Sequence, residues 1–254
     1  LAKALEYSEE AVKLGGTLKI HIKLDTGMSR LGFLCGGAHF EEGVDNIIRS
    51  CSLPGLESEG VYTHFAVSDV EDAESESYTR GQFELFMRVI AEVEKRGGIK
   101  FPIRHCANSG AVASYPEMAL DMVRPGLLLY GYGDTSGRLG LRPCMRLVST
   151  VSTIKIYDSG VSVSYGRRFV TERRTRMGVL AVGYADGLPR IVSNKCSFAA
   201  GHGFAPQRGS ICMDMCMIDL TDLPEVDVGS EVELFGERNS IYKLSDAAGT
   251  IPYE

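Results

Sequence analysis

The sequence predicts an α/β domain with a parallel sheet, open or closed into a barrel, followed by a mostly β domain. Strand-like and helix-like segments alternate up to about residue 131, which is typical of a parallel sheet. Beyond that point, strand-like segments follow one another and are separated by turns rich in Gly, Pro, Asn and Asp. We place the boundary in the glycine-rich stretch before Pro143, which predicts domains of residues 1–136 and 137–254.

The first domain contains the two clearest patterns. Residues 17–24 alternate strictly between apolar and polar, as a half-buried strand does. Residues 78–96 place apolar side chains at helical spacing and stop at Gly97-Gly98. The other elements predicted here are helices over 1–14, 40–49 and 108–114 and strands over 60–66, 101–106 and 121–130.

The second domain shows one helical pattern, near residues 243–248, among segments that have strand character. Gly, Pro, Asn and Asp turns separate these segments, as in an all-β fold. The predicted strands cover 147–157, 177–184, 195–200, 211–220 and 229–235.

Composition restricts the class of protein. The chain has 254 residues, of which 44% are hydrophobic and 24% charged, as in ordinary globular proteins. Its net charge of −6 gives no support to nucleic-acid binding, and no apolar run approaches the roughly 20 residues of a membrane span. Seven cysteines without a C-x-x-C motif predict reduced thiols in a cytoplasmic protein, and no metal site is expected.

A first candidate site follows the strand over 17–24. Lys23 lies on the polar face of this strand, and a glycine-containing turn is expected to bring Arg30 back over the strand end. The carboxyl ends of strands are where α/β barrels place their active sites. By spacing alone, two solvated cations on a loop explain the pattern equally well.

A second candidate site begins where a predicted strand passes into a helix. Asn108 and Ser109 stand at that helix start, where a hydroxyl and free N–H groups can bind a phosphate. The small side chains of Ala107, Gly110 and Ala111 are expected to let a phosphate approach closely. A simple N-cap without a ligand remains an alternative at this point.

Eight short motifs resemble those of the alanine racemase family and occur in that family's order. They are Lys-Leu-Asp-Thr-Gly-Met-Ser-Arg-Leu-Gly (23–32), Thr-His-Phe-Ala (63–66), His-Cys-Ala-Asn-Ser (105–109), Arg-Pro-Gly (124–126), Ser-Tyr-Gly (164–166), Gly-Tyr-Ala-Asp-Gly (183–187), Cys-Met-Asp (212–214) and Thr-Ile-Pro-Tyr-Glu (250–254). The resemblance implies a TIM-like α/β barrel followed by a mostly β domain. It also implies a pyridoxal 5′-phosphate (PLP) enzyme that interconverts L- and D-alanine and supplies D-alanine for peptidoglycan.

The resemblance assigns a set of residues to the cofactor. Arg124 resembles the arginine that hydrogen-bonds the pyridine nitrogen, and His105 resembles the histidine that supports this arginine. His64 resembles the histidine beside the pyridine ring. The expected contacts to the phosphate and its surroundings are Asn108, Ser109, the backbone of Gly126 and Leu127, and Tyr253.

The resemblance assigns a second set to catalysis and substrate. Tyr165 resembles the tyrosine that exchanges the α-proton on one face, and Arg30 resembles the arginine near the substrate carboxylate. Lys23 resembles the lysine that many members carry as a carbamate; an unmodified lysine held by a carboxylate such as Asp25 is the alternative. In the family, the equivalents of Tyr165, Tyr184 and Met213 enter the active site of the other subunit, so a head-to-tail homodimer is implied.

Tyr165 must lose its proton near neutral pH if it is to act as a base. Its reference pKa of about 10 is too high for that role. Cations such as Arg30 and a protonated His64 are expected to lower it.

Three departures from the family pattern affect these expectations. The family is expected to continue beyond Glu254 with at least one more strand. No residue matches the lysine that carries PLP; it and the first barrel strands are expected to precede Leu1, so the chain alone is expected to be inactive. Ser210 stands where the family often has an arginine, so the match to the family is incomplete at the substrate entry corridor. A broad-specificity or serine racemase of the same fold and a non-catalytic PLP-binding paralogue remain as alternatives.

Overall fold

The computed structural model describes residues 1–133 and 138–254. The chain divides into two compact units, Leu1–Arg142 and Pro143–Glu254, each with its own hydrophobic core. The domain boundary expected between residues 136 and 137 lies outside the described residues.

The first unit alternates helices and parallel strands, as the sequence predicted. Its elements are α1 (Ala2–Lys13), β1 (Leu18–Asp25), β2 (Phe33–Leu34), α2 (Phe40–Cys51), β3 (Leu56–Tyr62), α3 (Ala73–Gly97), β4 (Ile103–His105) and α4 (Ser109–Ser114). The strands pair in the order β2-β1-β3-β4, and every pairing is parallel. The connection from β1 to β3 contains β2 and α2, the one from β3 to β4 contains α3, and a loop alone joins β1 to β2.

The pattern of apolar residues explains which faces are buried. In β1, Ile22 and Leu24 are buried against the helices. In α3, Phe86 and Val93 belong to the same core. The helix begins at Asp72, whose carboxylate accepts the Ser75 N–H at 2.8 Å. It ends at Gly98 in the left-handed region, as the Gly97-Gly98 pair predicted.

Two strand predictions in the first unit need correction. The strand expected over 60–66 lies at Leu56–Tyr62, so Thr63 and His64 follow the strand instead of ending it. The strand expected over 121–130 does not form: residues Leu127–Tyr130 make a 3₁₀ turn. The bond from Arg124 N to Ala107 O is followed by Gly126, whose ψ of −82° leaves the extended region and begins the turn.

The second unit is a closed antiparallel barrel with a small hairpin. Its strands run in the order β10-β11-β8-β5-β12-β9, and β6 pairs with β7. The elements are β5 (Leu147–Tyr157), β6 (Ser162–Val163), β7 (Phe169–Val170), β8 (Thr175–Leu180), β9 (Ser197–Ala200), β10 (Gly203–Arg208), β11 (Cys216–Asp219), β12 (Glu231–Phe235) and α5 (Ile241–Ala248).

The mostly β prediction is confirmed for this unit, with β5 at its predicted bounds. The strands expected over 177–184 and 211–220 are shorter: β8 ends at Leu180 and β11 begins at Cys216. The residues that were predicted as strand but lie outside β8 and β11 form loops, and these loops carry the Gly-Tyr-Ala-Asp-Gly and Cys-Met-Asp motifs. Strand β10, which the sequence pattern did not predict, contains Pro206 and follows a two-residue turn after β9. Within residues 1–133 and 138–254, no helix is both long and apolar enough to cross a membrane.

Candidate active site

The carboxyl ends of β1, β3 and β4 meet at one edge of the parallel sheet. Lys23 pairs in register with Tyr62, and Tyr62 pairs with His105, so the three side chains form one row on one face. The Tyr62 ring stacks on the His105 ring, with 4.8 Å between centroids and 4° between planes. Lys23 Nζ lies 5.8 Å from the Tyr62 centroid. The stacked rings of Tyr62 and His105 form a flat surface at the sheet edge, which we call the aromatic floor.

Arg124 lies over this floor, 5.3 Å from the Tyr62 centroid. Its Nη1 donates to His105 Nδ1 at 2.6 Å, and its Nη2 donates to Thr63 O at 2.8 Å. Nη2 is also 3.3 Å from His64 Nδ1. Burial lowers the pKa of Arg124, but an arginine starts so far above neutrality that it stays protonated. The site therefore holds a permanent cation surrounded by acceptors.

A hydrogen-bonded chain leads away from Arg124 through two histidines. His105 Nε2 lies 2.8 Å from His21 Nδ1, and His21 Nε2 lies 3.3 Å from Glu59 Oε2. An arginine has no acceptor, so His105 must accept at Nδ1 and carry its proton on Nε2. His21 must then accept at Nδ1 and donate from Nε2 to Glu59. The contacts thus assign one neutral tautomer to each ring.

The contact between the two histidines depends on Gly60. His21 lies on β1 and His105 on β4, with β3 between these strands. A Cβ added to Gly60 would lie 2.5 Å from His21 Nδ1 and 2.7 Å from Ile103 O. The register between β1 and β3 also shifts at this point and leaves Glu59 unpaired, as in a β-bulge. One glycine and one bulge therefore allow the rings to meet across β3.

The surroundings keep the site imidazoles neutral. Burial, followed by the charge of Arg124, lowers the pKa of His105 to about 4. The same causes, with contributions from Arg30 and Lys23, lower the pKa of His64. Burial and neighbouring cations disfavour the protonated form of His64, which argues against help to Tyr165 from a protonated His64; that expectation stays a prediction.

The loop after β1 returns over the strand end, as its motif predicted. Asp25 Oδ1 accepts the N–H groups of Gly27 at 3.1 Å and Ser29 at 3.0 Å. Gly32 passes β1 so closely that an added Cβ would lie 2.8 Å from Asp25 N. The carboxylate of Asp25 therefore shapes the turn that leads to Arg30.

Lys23 stands close to other cations. Burial first, and the charges of Arg30 and Arg124 with it, lower the pKa of Lys23, while Asp25 opposes this effect. Lys23 forms no ion pair with any residue that the structure describes. The alternative in which Asp25 holds Lys23 therefore lacks a direct contact.

The second predicted site forms where β4 passes into α4. Asn108 caps α4 by accepting the Ala111 N–H at 3.1 Å. Its Oδ1 also accepts from Ser68 Oγ at 2.7 Å, and its Nδ2 donates to Phe65 O at 3.3 Å. Both ends of the amide thus bind protein. A cofactor contact by Asn108 stays a prediction, but its observed contacts hold the loop.

The small residues here serve packing. A Cβ on Gly110 would lie 2.7 Å from Asp69 N, and Ala107 and Ala111 are fully buried. These contacts give the small side chains a packing role, and the close approach of a phosphate to them stays a prediction.

Available donors lie beside Ser109 instead. Its hydroxyl accepts the Leu128 N–H at 3.4 Å, which brings the turn after Pro125 to the start of α4. The N–H groups of Gly126 and Leu127 donate to no acceptor among residues 1–133 and 138–254.

The second unit gathers three loops around Tyr165. Ser164 Oγ donates to Ser210 O at 2.6 Å, and Ser210 Oγ donates to Tyr165 O at 2.8 Å. Tyr184 N donates to Cys212 O at 3.0 Å. These bonds hold the backbone while the side chains project outward. The exposed fractions are 71% for Tyr165, 43% for Tyr184, 59% for Met213 and, in the C-terminal turn, 60% for Tyr253.

Four residues at the site have no role predicted from the sequence: Tyr62, His21, Glu59 and Gln82. A signal existed for His21, which shares the polar face of its strand with Lys23. Tyr62 directly precedes the Thr-His-Phe-Ala motif but falls inside the strand predicted over 60–66. The remaining two carry no local signal that distinguishes them from surface residues.

Comparisons with known proteins agree with this arrangement. Residues 1–134 match the family model "Alanine racemase, N-terminal domain", and residues 144–254 match "Alanine racemase, C-terminal domain". An alanine racemase of Clostridium tetani is 42% identical over 260 residues, and one of Clostridium perfringens is 41% identical over 259 residues. Each comparison covers 99% of this chain, and the chain spans 65% of the length of these relatives.

Solved structures show the same fold. The alanine racemase of Streptomyces coelicolor has a TM-score of 0.89 and 32% identity, covering 100% of this chain and 67% of that chain. The alanine racemase of Bartonella henselae with covalently bound pyridoxal phosphate has a TM-score of 0.85 and 27% identity, covering 99% and 67%. The predicted fold class, a TIM-like α/β domain followed by a mostly β domain, is confirmed.

Proposed function

The chain belongs to the alanine racemase family, and from that premise we propose that the protein interconverts L-alanine and D-alanine with PLP as its cofactor. The observation that supports this most is Arg124, a permanent cation fixed by His105 and Thr63 O above an aromatic floor. A guanidinium there can donate to a pyridine nitrogen without giving up its proton. When bound, PLP supplies an electron sink for removal of the α-proton of an amino acid.

The residues present fit this cofactor. A pyridine nitrogen needs one donor, and the Nε–H of Arg124 has no acceptor in the described part of the chain. A phosphate needs several donors, and the Ser109 hydroxyl and the N–H groups of Gly126 and Leu127 provide them. We propose Tyr253 as a further phosphate contact, since its side chain is exposed.

His105 determines how the Arg124 guanidinium is oriented. Because its Nδ1 carries no proton, it accepts from Arg124 and orients the guanidinium without competing for the ring nitrogen. A neutral His105 also adds no second charge beside Arg124. We propose that this arrangement leaves the ring nitrogen unprotonated and so restrains the electron sink, which favours racemisation over side reactions.

Tyr165 is the proposed carrier of the α-proton on one face of the substrate, at its phenolic oxygen. Its exposed ring and the bonds that hold its backbone suit a group that reaches into a site from outside its own barrel. Arg30 is proposed to bind the substrate carboxylate by its charge.

We also propose a head-to-tail homodimer in which each subunit contributes side chains to the active site of its partner. Tyr165, Tyr184 and Met213 are exposed side chains on convergent loops, an arrangement that suits contact with a partner. Sedimentation velocity should give a dimer. A monomer that racemises alanine would contradict the shared site.

We propose that Lys23 carries a carbamate that pairs with Arg30. The lowered pKa of Lys23 increases the neutral amine, which attacks carbon dioxide; an N–C bond forms, and the amine proton leaves to solvent. A ¹³C carbamate signal is expected after addition of labelled bicarbonate and should be absent in Lys23→Arg. Equal spectra for both proteins would contradict the modification.

The proposed function is tested with protein expressed from the complete gene. Alanine of either configuration should be converted to the racemate, with PLP retained through gel filtration. Serine and other small amino acids, offered in parallel, distinguish a broad-specificity racemase. Retention of PLP without turnover of any amino acid would instead indicate a binding protein.

A further inference from the structure

Gln82 lies in the middle of α3, and its side chain is 2% exposed. Its Oε1 accepts the Ala66 N–H at 3.0 Å. Its Nε2 donates to His64 O at 3.2 Å and to Thr26 Oγ1 at 3.4 Å. The Ala66 N–H can only donate and the His64 carbonyl can only accept, so these two partners determine the orientation of the amide.

The threonines next to Gln82 extend this contact in one direction. Thr63 Oγ1 donates to Leu24 O at 3.1 Å, so it must accept from Thr26 Oγ1, which lies 2.7 Å away. Thr26 Oγ1 then accepts from Gln82 Nε2. The amide thus begins a buried chain of hydrogen bonds that joins the ends of β1 and β3. Such a chain is costly to leave half satisfied.

The same face of α3 also holds the loop after β1. Tyr78, one turn before Gln82, donates its hydroxyl to Gly27 O at 2.8 Å. A Cβ on Gly27 would lie 2.6 Å from that hydroxyl, so the approach depends on glycine. One helix face therefore fixes both loops that leave the sheet edge.

We propose that Gln82 is a positioning residue that sets the backbone of residues 63–66, and thereby places His64 and the carbonyl of Thr63 against Arg124. The Thr63 carbonyl accepts from Arg124 Nη2 at 2.8 Å, and His64 Nδ1 lies 3.3 Å from the same nitrogen. The side chain of Gln82 acts on Arg124 only through this segment. Its importance for the cofactor rests on the proposed function, whereas the positioning itself does not.

The test compares Gln82→Met with Thr79→Val in the full chain without cofactor. Methionine keeps the length and flexibility of the side chain and removes the amide. Thr79 lies on the same helix, is fully buried and has an Oγ1 without a hydrogen-bond partner in the described part of the chain, so valine removes no contact. Both variants are first checked for folding by chemical denaturation. Amide hydrogen exchange of Ala66 and NMR titration of the His64 ring are then measured under native conditions.

In Gln82→Met, exchange at Ala66 should be about tenfold faster than in Thr79→Val, because its N–H loses its acceptor. The pKa of His64 should rise toward its ordinary value as the ring leaves Arg124 and its buried place. Thr79→Val should match the wild type in both measurements. General destabilisation would not shift a titration that is measured in the folded state.

An unchanged His64 titration in a folded Gln82→Met variant would overturn the proposal. If Gln82→Met does not fold, Gln82→Leu replaces it. Leucine removes both the acceptor for the Ala66 N–H and the donor to His64 O, so exchange at Ala66 should be faster and the His64 pKa should rise. Wild-type titration of His64 in Gln82→Leu would overturn the proposal equally. Neither measurement needs PLP or turnover, so failure of the racemase assay leaves this test intact.

Discussion

The two units fix their proposed site residues in opposite ways. In Leu1–Arg142, Arg124 and His105 are held by hydrogen bonds between side chains, and each is at least half buried. In Pro143–Glu254, the backbone around Tyr165 is held by Ser164 and Ser210 while the phenol is 71% exposed. The difference teaches that function and stability are coupled in the first unit and separable in the second.

The largest effect on activity is expected from a variant of the second unit, where function and stability are separable. Tyr165→Phe should lower racemisation by at least about 100-fold, because a positioned acid or base contributes that much. Its free energy of unfolding should change by less than about 0.5 kcal/mol, since the removed hydroxyl is on the surface. Steady-state assays and urea denaturation measure the two quantities.

The same variant should distinguish the two faces of the substrate. The equilibrium constant of racemisation is fixed at one, so kcat/KM must fall equally in both directions. Exchange of the α-proton with D₂O should instead fall more for one enantiomer than for the other. Equal loss of exchange from both enantiomers would contradict a one-face role for Tyr165.

A smaller effect is expected from pH in the first unit. The pKa of His105 is about 4 in the folded chain and about 6.5 when unfolded, so the unfolded state binds more protons between these values. The stability contribution of His105 is therefore complete above about pH 6.5 and is lost as the pH falls toward 4, by up to about 3 kcal/mol. Denaturation at several pH values measures it.

His105→Asn should lack this part of the pH dependence. His202→Asn, an exposed histidine of the second unit, is the matched control and should keep it. Identical pH profiles of the unfolding free energy for wild type and His105→Asn would contradict a buried His105 with a lowered pKa.

Gly60→Ala directly tests the contact between the His21 and His105 rings across β3. The new Cβ would approach His21 Nδ1 and the Ile103 carbonyl too closely, so we expect a loss of about 1–3 kcal/mol of unfolding free energy. Gly81→Ala, on α3 with no atom within 4 Å of its new Cβ, should be neutral or stabilise by up to about 1 kcal/mol. Equal stability of the two variants would argue against the tight crossing.

The smallest effect concerns the anchor of Tyr165. Ser210→Ala removes one buried hydrogen bond to the Tyr165 carbonyl and should cost about 1 kcal/mol of unfolding free energy. Ser152→Ala removes an exposed hydroxyl that donates to Val179 O and should cost less. If Ser210→Ala is no more costly than this control, Ser210 does not hold the Tyr165 loop.

Sequence patterns gave reliable information wherever the physical cause was local. The alternation over 17–24 depends on the two-residue repeat of a strand, and β1 lies there. The stop at Gly97-Gly98 depends on a left-handed residue that glycine adopts without strain. The strand predicted over 121–130 does not form, because the backbone leaves the extended region at Gly126 and an apolar run alone does not distinguish a strand from a turn.

The fold class, the order of the motifs and the family can be read from the amino-acid sequence. The contact of His21 with His105, 84 residues away, and that of Gln82 with the segment carrying His64 arise from the fold alone. These contacts depend on strand register, on a bulge beside Glu59 and on the missing side chain of Gly60. Such features arise when separate strands pair, and no periodicity within one segment encodes them.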